Sequence, residues 1–85
     1  MAGSNNHPGR RESAPRPTRD TLLDAREYVG HTQQQAADKV YRSRLGWQKM
    51  ERGDRPVDPA ILELYLLKTG QIEAGETWVD WVMPA

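Results

Sequence analysis

The chain has 85 residues, 36% of them hydrophobic and 28% charged, which suits one small domain around one modest core. Cysteine is absent, so disulfides and thiolate metal sites are excluded, and a formal net charge of zero gives no sign of a polyanionic partner. No apolar run approaches the roughly 20 residues of a membrane span, and the polar N-terminus lacks a signal-peptide core, so a cytoplasmic protein with no membrane partner is expected.

The distribution of charge says more than its sum. Residues 1–20 carry +2 and residues 21–38 carry −2. Residues 39–55 hold Lys39, Arg42, Arg44, Lys49, Arg52 and Arg55 against Glu51 and Asp54, a balance of +4. Residues 56–85 set Lys68 against five acids, a balance of −4. A cationic block on one segment is the electrostatic footprint of nucleic-acid binding, although a solvated charged face reads the same way.

In chain order, residues 1–17 come first, with three prolines and almost no large apolar residue. They read as a disordered basic arm whose Arg10, Arg11 and Arg16 are either phosphate contacts or an inert tail. "TRDTLLDAREYVG" then places Leu22, Ala25, Arg26 and Val29 on one helical stripe, predicting a first helix over about 19–29 that stops at Gly30. Thr32 followed by Gln35 is a capping box, so a second helix starts at Gln33, buries Ala36, Ala37 and Val40, and ends near Tyr41. Ser43 is a fresh N-cap. The third helix runs from Arg44 to Arg52, with Trp47 and Met50 inward and Gly53 as its stop.

Asp58 and Pro59 open a fourth helix and Gly70 ends it. Its apolar residues occupy two sides, Ile61 and Leu64 on one and Leu62, Tyr65 and Leu66 nearer the other, so it needs two packing partners. The tail "QIEAGETWVDWVMPA" fits a helical stripe through Trp78, Trp81 and Val82, or an alternating strand through Val79, Trp81 and Met83; the helix is preferred. So much aromatic surface must be covered, by the domain's own core or by a second subunit. Leu62, Tyr65, Leu66, Trp78, Trp81 and Val82 are the candidate dimerisation residues.

The stretch "AREYVGHTQQQAADKVYRSRLGWQKMERGDRP" resembles the Cro/C1-type (XRE-like) helix-turn-helix domain of phage and plasmid repressors. The resemblance rests on Arg26 before Gly30, Thr32-Gln33, Ala37, Ser43 and Glu51-Arg52-Gly53, and it covers about residues 20–71. It implies an all-α, lambda-repressor-like bundle of four to five helices. Residues 18–71 would form the DNA-binding domain, and residues 72–85 a dimerisation or core-capping element. It further implies a bacterial, nucleoid-associated transcriptional repressor that binds a palindromic double-stranded DNA operator as a homodimer, its third helix in the major groove.

Carried across by motif position, base readout falls on Arg44, Leu45 and Lys49, with Gln48 flanking. Gln33, Lys39, Arg42, Ser43, Arg52 and Arg55 are the phosphate contacts, and Arg26 with Glu51 is a structural pair tying the first helix to the third. The chemistry agrees: Arg can fork onto guanine O6 and N7, while Leu45 would meet a thymine methyl. Two departures stand out. Tyr41 occupies a turn position where the family usually has Gly with positive φ, and Arg42 stands where a small apolar residue commonly packs; either the turn differs from the family's, or these two side chains reach out toward the DNA backbone. Gly46, inside the third helix, lowers its propensity.

Other readings stay open. An antitoxin would share the fold and bind a toxin protein, and a pure interaction module would dock its acidic, Trp-rich end on another regulator. Trp47 reads as core and His31 as a packed residue. No Ser–His–acid set, paired-carboxylate pocket, phosphate loop or metal-ligand spacing stands out, so neither catalysis, a cofactor nor a metal is expected.

Overall fold

Each helix of the chain begins where a side chain can satisfy its first backbone N–H groups. In the computed structural model, which describes residues 16–83, five helices follow one another among those residues. They are α1 (Arg19–Val29), α2 (Gln33–Lys39), α3 (Arg44–Arg52), α4 (Pro59–Lys68) and α5 (Trp78–Val82). The basic arm's Arg10 and Arg11, and His7, lie outside the described residues. No described helix is long and apolar enough to cross a membrane.

The caps are specific. Thr18 accepts from the Thr21 N–H at 3.2 Å, and Ser43 from the Gly46 N–H at 3.0 Å. Thr32 and Gln35 close their capping box at 3.1 and 2.8 Å. Asp58 accepts from the Ala60 N–H at 2.9 Å, with Pro59 at the first helical position. A hydroxyl or carboxylate cap of this kind is worth about 1 kcal/mol. α2 ends at Lys39, slightly before the predicted limit, because the chain turns at Tyr41 with φ 62°.

The core is built from one stripe of each helix. Leu22 and Ala25 of α1, Ala36 and Ala37 of α2, and Trp47 and Met50 of α3 are buried. The two alanines of α2 allow its close approach to α3. Leu62, Tyr65 and Leu66 of α4 are fully buried within the single chain, at 0% exposure. That corrects their assignment to a dimer interface: the second side of α4 is the side facing the core, and no area remains there for another subunit. Ile61 and Leu64, on its other side, are half-buried.

The tail is helical, not a strand. Glu63 of α4 accepts from the Trp78 N–H at 2.8 Å, which seats α5 on α4. Trp78 is buried in the core, whereas Trp81 and Val82 are half-buried against it. The second partner that α4 required is thus largely α5.

Tyr65 links the layers. Its ring meets Trp47 edge-on at 5.1 Å, and its hydroxyl lies 2.8 Å from His31 Nδ1. His31 is packed, as its position suggested. Burial pushes the Tyr65 hydroxyl up to about 12.

Candidate nucleic-acid interface

The orientation of α3 is held from behind by one carboxylate. Glu51 accepts from Arg26 at 2.6 and 2.9 Å in a two-pronged ion pair, from Gln33 Nε2 at 3.0 Å, and from the Trp47 indole N–H. Arg26 also donates to the His31 carbonyl at 2.9 Å. One acidic group therefore joins α1, α2 and α3. Burial alone would raise its pKa, yet the bonds from Arg26, Gln33 and Trp47 outweigh that and hold it below the usual carboxylate value. The same bond to Glu51 raises Arg26, keeping both partners charged. The predicted Arg26–Glu51 pair is present, and Gln33, expected at a phosphate, uses one amide hydrogen on the same carboxylate.

With Trp47, Met50 and Glu51 turned inward, a helix of about 3.6 residues per turn puts positions 45 and 49 on its opposite face and position 48 beside them, while position 44, seven before Glu51, lies near the inward stripe in the exposed first turn. Arg44 and Leu45 are exposed, Leu45 at 54%, and Gln48 and Lys49 are half-exposed. None of the four is buried; Leu45, Gln48 and Lys49 lie along the outer side, and Arg44 stands at its N-terminal end. The edge is polar and cationic, with one apolar side chain near its N-terminal end.

Beside this edge lies a groove of about 330 Å³, lined among others by Tyr41, Arg42, Ser43, Gly46, Arg55 and Asp58. Gly46 has its explanation here. A Cβ at that position would sit 3.3 Å from the Ser43 hydroxyl and 3.6 Å from the Arg55 guanidinium, which fold over the first turn of α3. Ser43 accepts a capping bond through its oxygen and keeps its own proton for another acceptor. Among the described residues the ion pairs are Arg26–Glu51 and Arg52–Asp54, so Lys39, Arg42, Arg44, Lys49 and Arg55 have no carboxylate partner there.

The remaining sequence-predicted contacts scatter. Arg52 is partly neutralised by Asp54 at 2.6 Å. Its carbonyl accepts from Arg19 at 3.1 Å, and the Arg19 side chain crosses Gly53 so closely that a Cβ there would meet it at 3.2 Å. Lys39 is exposed on the last turn of α2 and does not line the groove.

Tyr41 takes a left-handed backbone with φ 62°, the conformation that favours glycine. It is the only non-glycine residue with positive φ among the described residues, and its side chain is 79% exposed. Lys68, at the end of α4, donates to the Tyr41 hydroxyl at 2.7 Å and places its ammonium 4.1 Å from the ring centroid. This hydrogen bond, then the nearby charge, lowers the Tyr41 pKa. A left-handed tyrosine is strained where glycine is not, and a solvent-exposed cation–π contact offsets such strain only in part. No sequence signal joins residues 41 and 68; Lys68 stood out only as the single base of residues 56–85.

Compared with known proteins, the chain matches no family model and no curated protein.

Proposed function

We propose that the chain is a sequence-specific DNA-binding regulator, a transcriptional repressor that binds a palindromic operator as a homodimer and sets α3 into the major groove. The reading is carried by one observation. Leu45, Gln48 and Lys49 lie on the outward edge of a helix, with exposed Arg44 at its N-terminal end, and the inner face of that helix is fixed to α1 and α2 through Glu51. A recognition helix must expose its base-reading side chains while its axis is held rigidly, and that combination serves major-groove entry. The cations flanking the edge, which have no carboxylate partner among the described residues, supply attraction to phosphates, so affinity falls steeply with salt. For dimerisation the half-buried Trp81 and Val82 remain as candidates, since Leu62, Tyr65 and Leu66 are enclosed.

Selection of bound sequences from random duplex DNA tests the proposal directly. The expected product is a two-fold symmetric site whose half-sites lie about one helical turn apart. Binding with equal strength to scrambled DNA would reject it.

A further inference from the structure

We infer that Tyr41 and Lys68 together form a contact for a backbone phosphate of duplex DNA at the edge of the half-site. In this contact the phenol hydroxyl donates to a phosphate oxygen, and the Lys68 ammonium supplies the charge. The inference rests on the DNA-binding reading above. The sequence offers Tyr41 only as one of two alternatives and does not offer Lys68 at all; the pairing of the two is what three observations carry.

The first is the strain at Tyr41. Glycine would take φ 62° without steric conflict, whereas tyrosine adopts it against its preference. A 79% exposed side chain gains little from packing. Among the described residues its side chain's one hydrogen-bond partner is Lys68, itself exposed. A strained, solvent-facing residue that packing does not explain points to an external partner.

The second is placement. Tyr41 lines the same groove as Arg42, Ser43 and Arg55, beside the exposed edge of α3. A phosphate engaged by those groups lies within the neighbourhood of the phenol.

The third is chemistry. The Tyr41 oxygen accepts from the Lys68 ammonium at 2.7 Å, which leaves the phenol proton to donate outward and polarises the O–H bond. Tyrosine hydroxyls are ordinary donors to phosphate oxygens. Lys68 is the one base of an otherwise acidic C-terminal segment, and here it stands over the turn that leads into α3.

The test compares full-length wild type with Tyr41→Phe, Tyr41→Gly and Lys68→Met. Each is titrated against the selected operator and a scrambled duplex across a series of salt concentrations, with thermal melts of the same samples. Lys68→Met should reduce the slope of log affinity against log salt by about 1, alike on both duplexes. Tyr41→Phe should weaken both about 12- to 160-fold, the range of one hydrogen bond to a charged group, with the slope unchanged. Tyr41→Gly should melt higher than wild type and still bind more weakly, separating the contact from the fold.

If wild type binds and the Phe and Met variants match it in affinity and slope, this inference fails while the DNA-binding reading survives. Loss of binding by Tyr41→Gly that merely tracks a lower melting temperature also overturns it, because the side chain is then structural. Absence of salt-dependent binding by wild type to any duplex removes both readings together.

Discussion

Glu51 shows how much one side chain can settle. Its carboxylate holds an arginine, an amide and an indole from three helices, and its side chain is 6% exposed. Glu51→Ala leaves the Arg26 guanidinium without its partner in a half-buried site and should destabilise the fold by about 3 kcal/mol in denaturant titration. The pH dependence follows from the same group. Its folded pKa lies below the unfolded value near 4.5, so its contribution is complete above that value and is lost as pH falls through the lower folded one. Tyr65 acts at the opposite end: its folded pKa is raised to about 12, so its contribution is complete below about 10 and fades as pH climbs from 10 toward 12. Melting temperature against pH should therefore fall at both extremes, with Glu51→Gln flattening the acid limb and Tyr65→Phe the alkaline one. On the outer face, Arg44→Ala should erase base preference at one position of each half-site, by about 1–3 kcal/mol. Arg55→Ala should weaken all duplexes alike and lower the salt slope; binding-site selection on each variant distinguishes the two.

At the scale of the elements, most of the architecture was legible because local chemistry dictates it. Thr18, Thr32, Ser43 and Asp58 mark four helix starts, and apolar spacing of 3 and 4 residues marks the buried stripes of α1 to α3. Ser43→Ala, which removes the α3 cap, should cost about 0.5–2 kcal/mol in thermal or chemical melts without altering the other helices. α4 was harder. Its apolar residues surround much of the helix, and periodicity cannot say which side meets the core and which meets a neighbour. That choice depends on where α5 lands, a tertiary outcome, and it moved Leu62, Tyr65 and Leu66 from a supposed interface into the interior. The candidate site divides the same way. The outward set of Leu45, Gln48 and Lys49 follows from helical spacing and the exposure of Arg44 from its place in the first turn, whereas Arg55 over Gly46 and Lys68 over Tyr41 join residues 9 and 27 apart through loop geometry.

Across the whole molecule, the acidic end and the basic middle meet through α4 and α5. Trp78 belongs to the interior, so Trp78→Ala should lower stability by about 3–5 kcal/mol whatever the protein concentration. Trp81 keeps a partly open face, and Trp81→Ala should affect the fold less. If α5 carries the proposed self-association, sedimentation should show the Trp81 variant dissociating at higher concentration than wild type. Unchanged sedimentation would move the interface to another face.

The binding of three helices to a single half-buried acid also bears on how such a surface changes over generations. Posture and composition are separated: the inner residues that fix the angle of α3 tolerate little exchange, while the outer ones touch solvent and can be swapped at small expense to the fold. If the chain reads DNA as proposed, new preferences can arise by drift at those outer positions while the scaffold behind them stays constant. Lineages of this domain should diverge in what they recognise sooner than in how they fold.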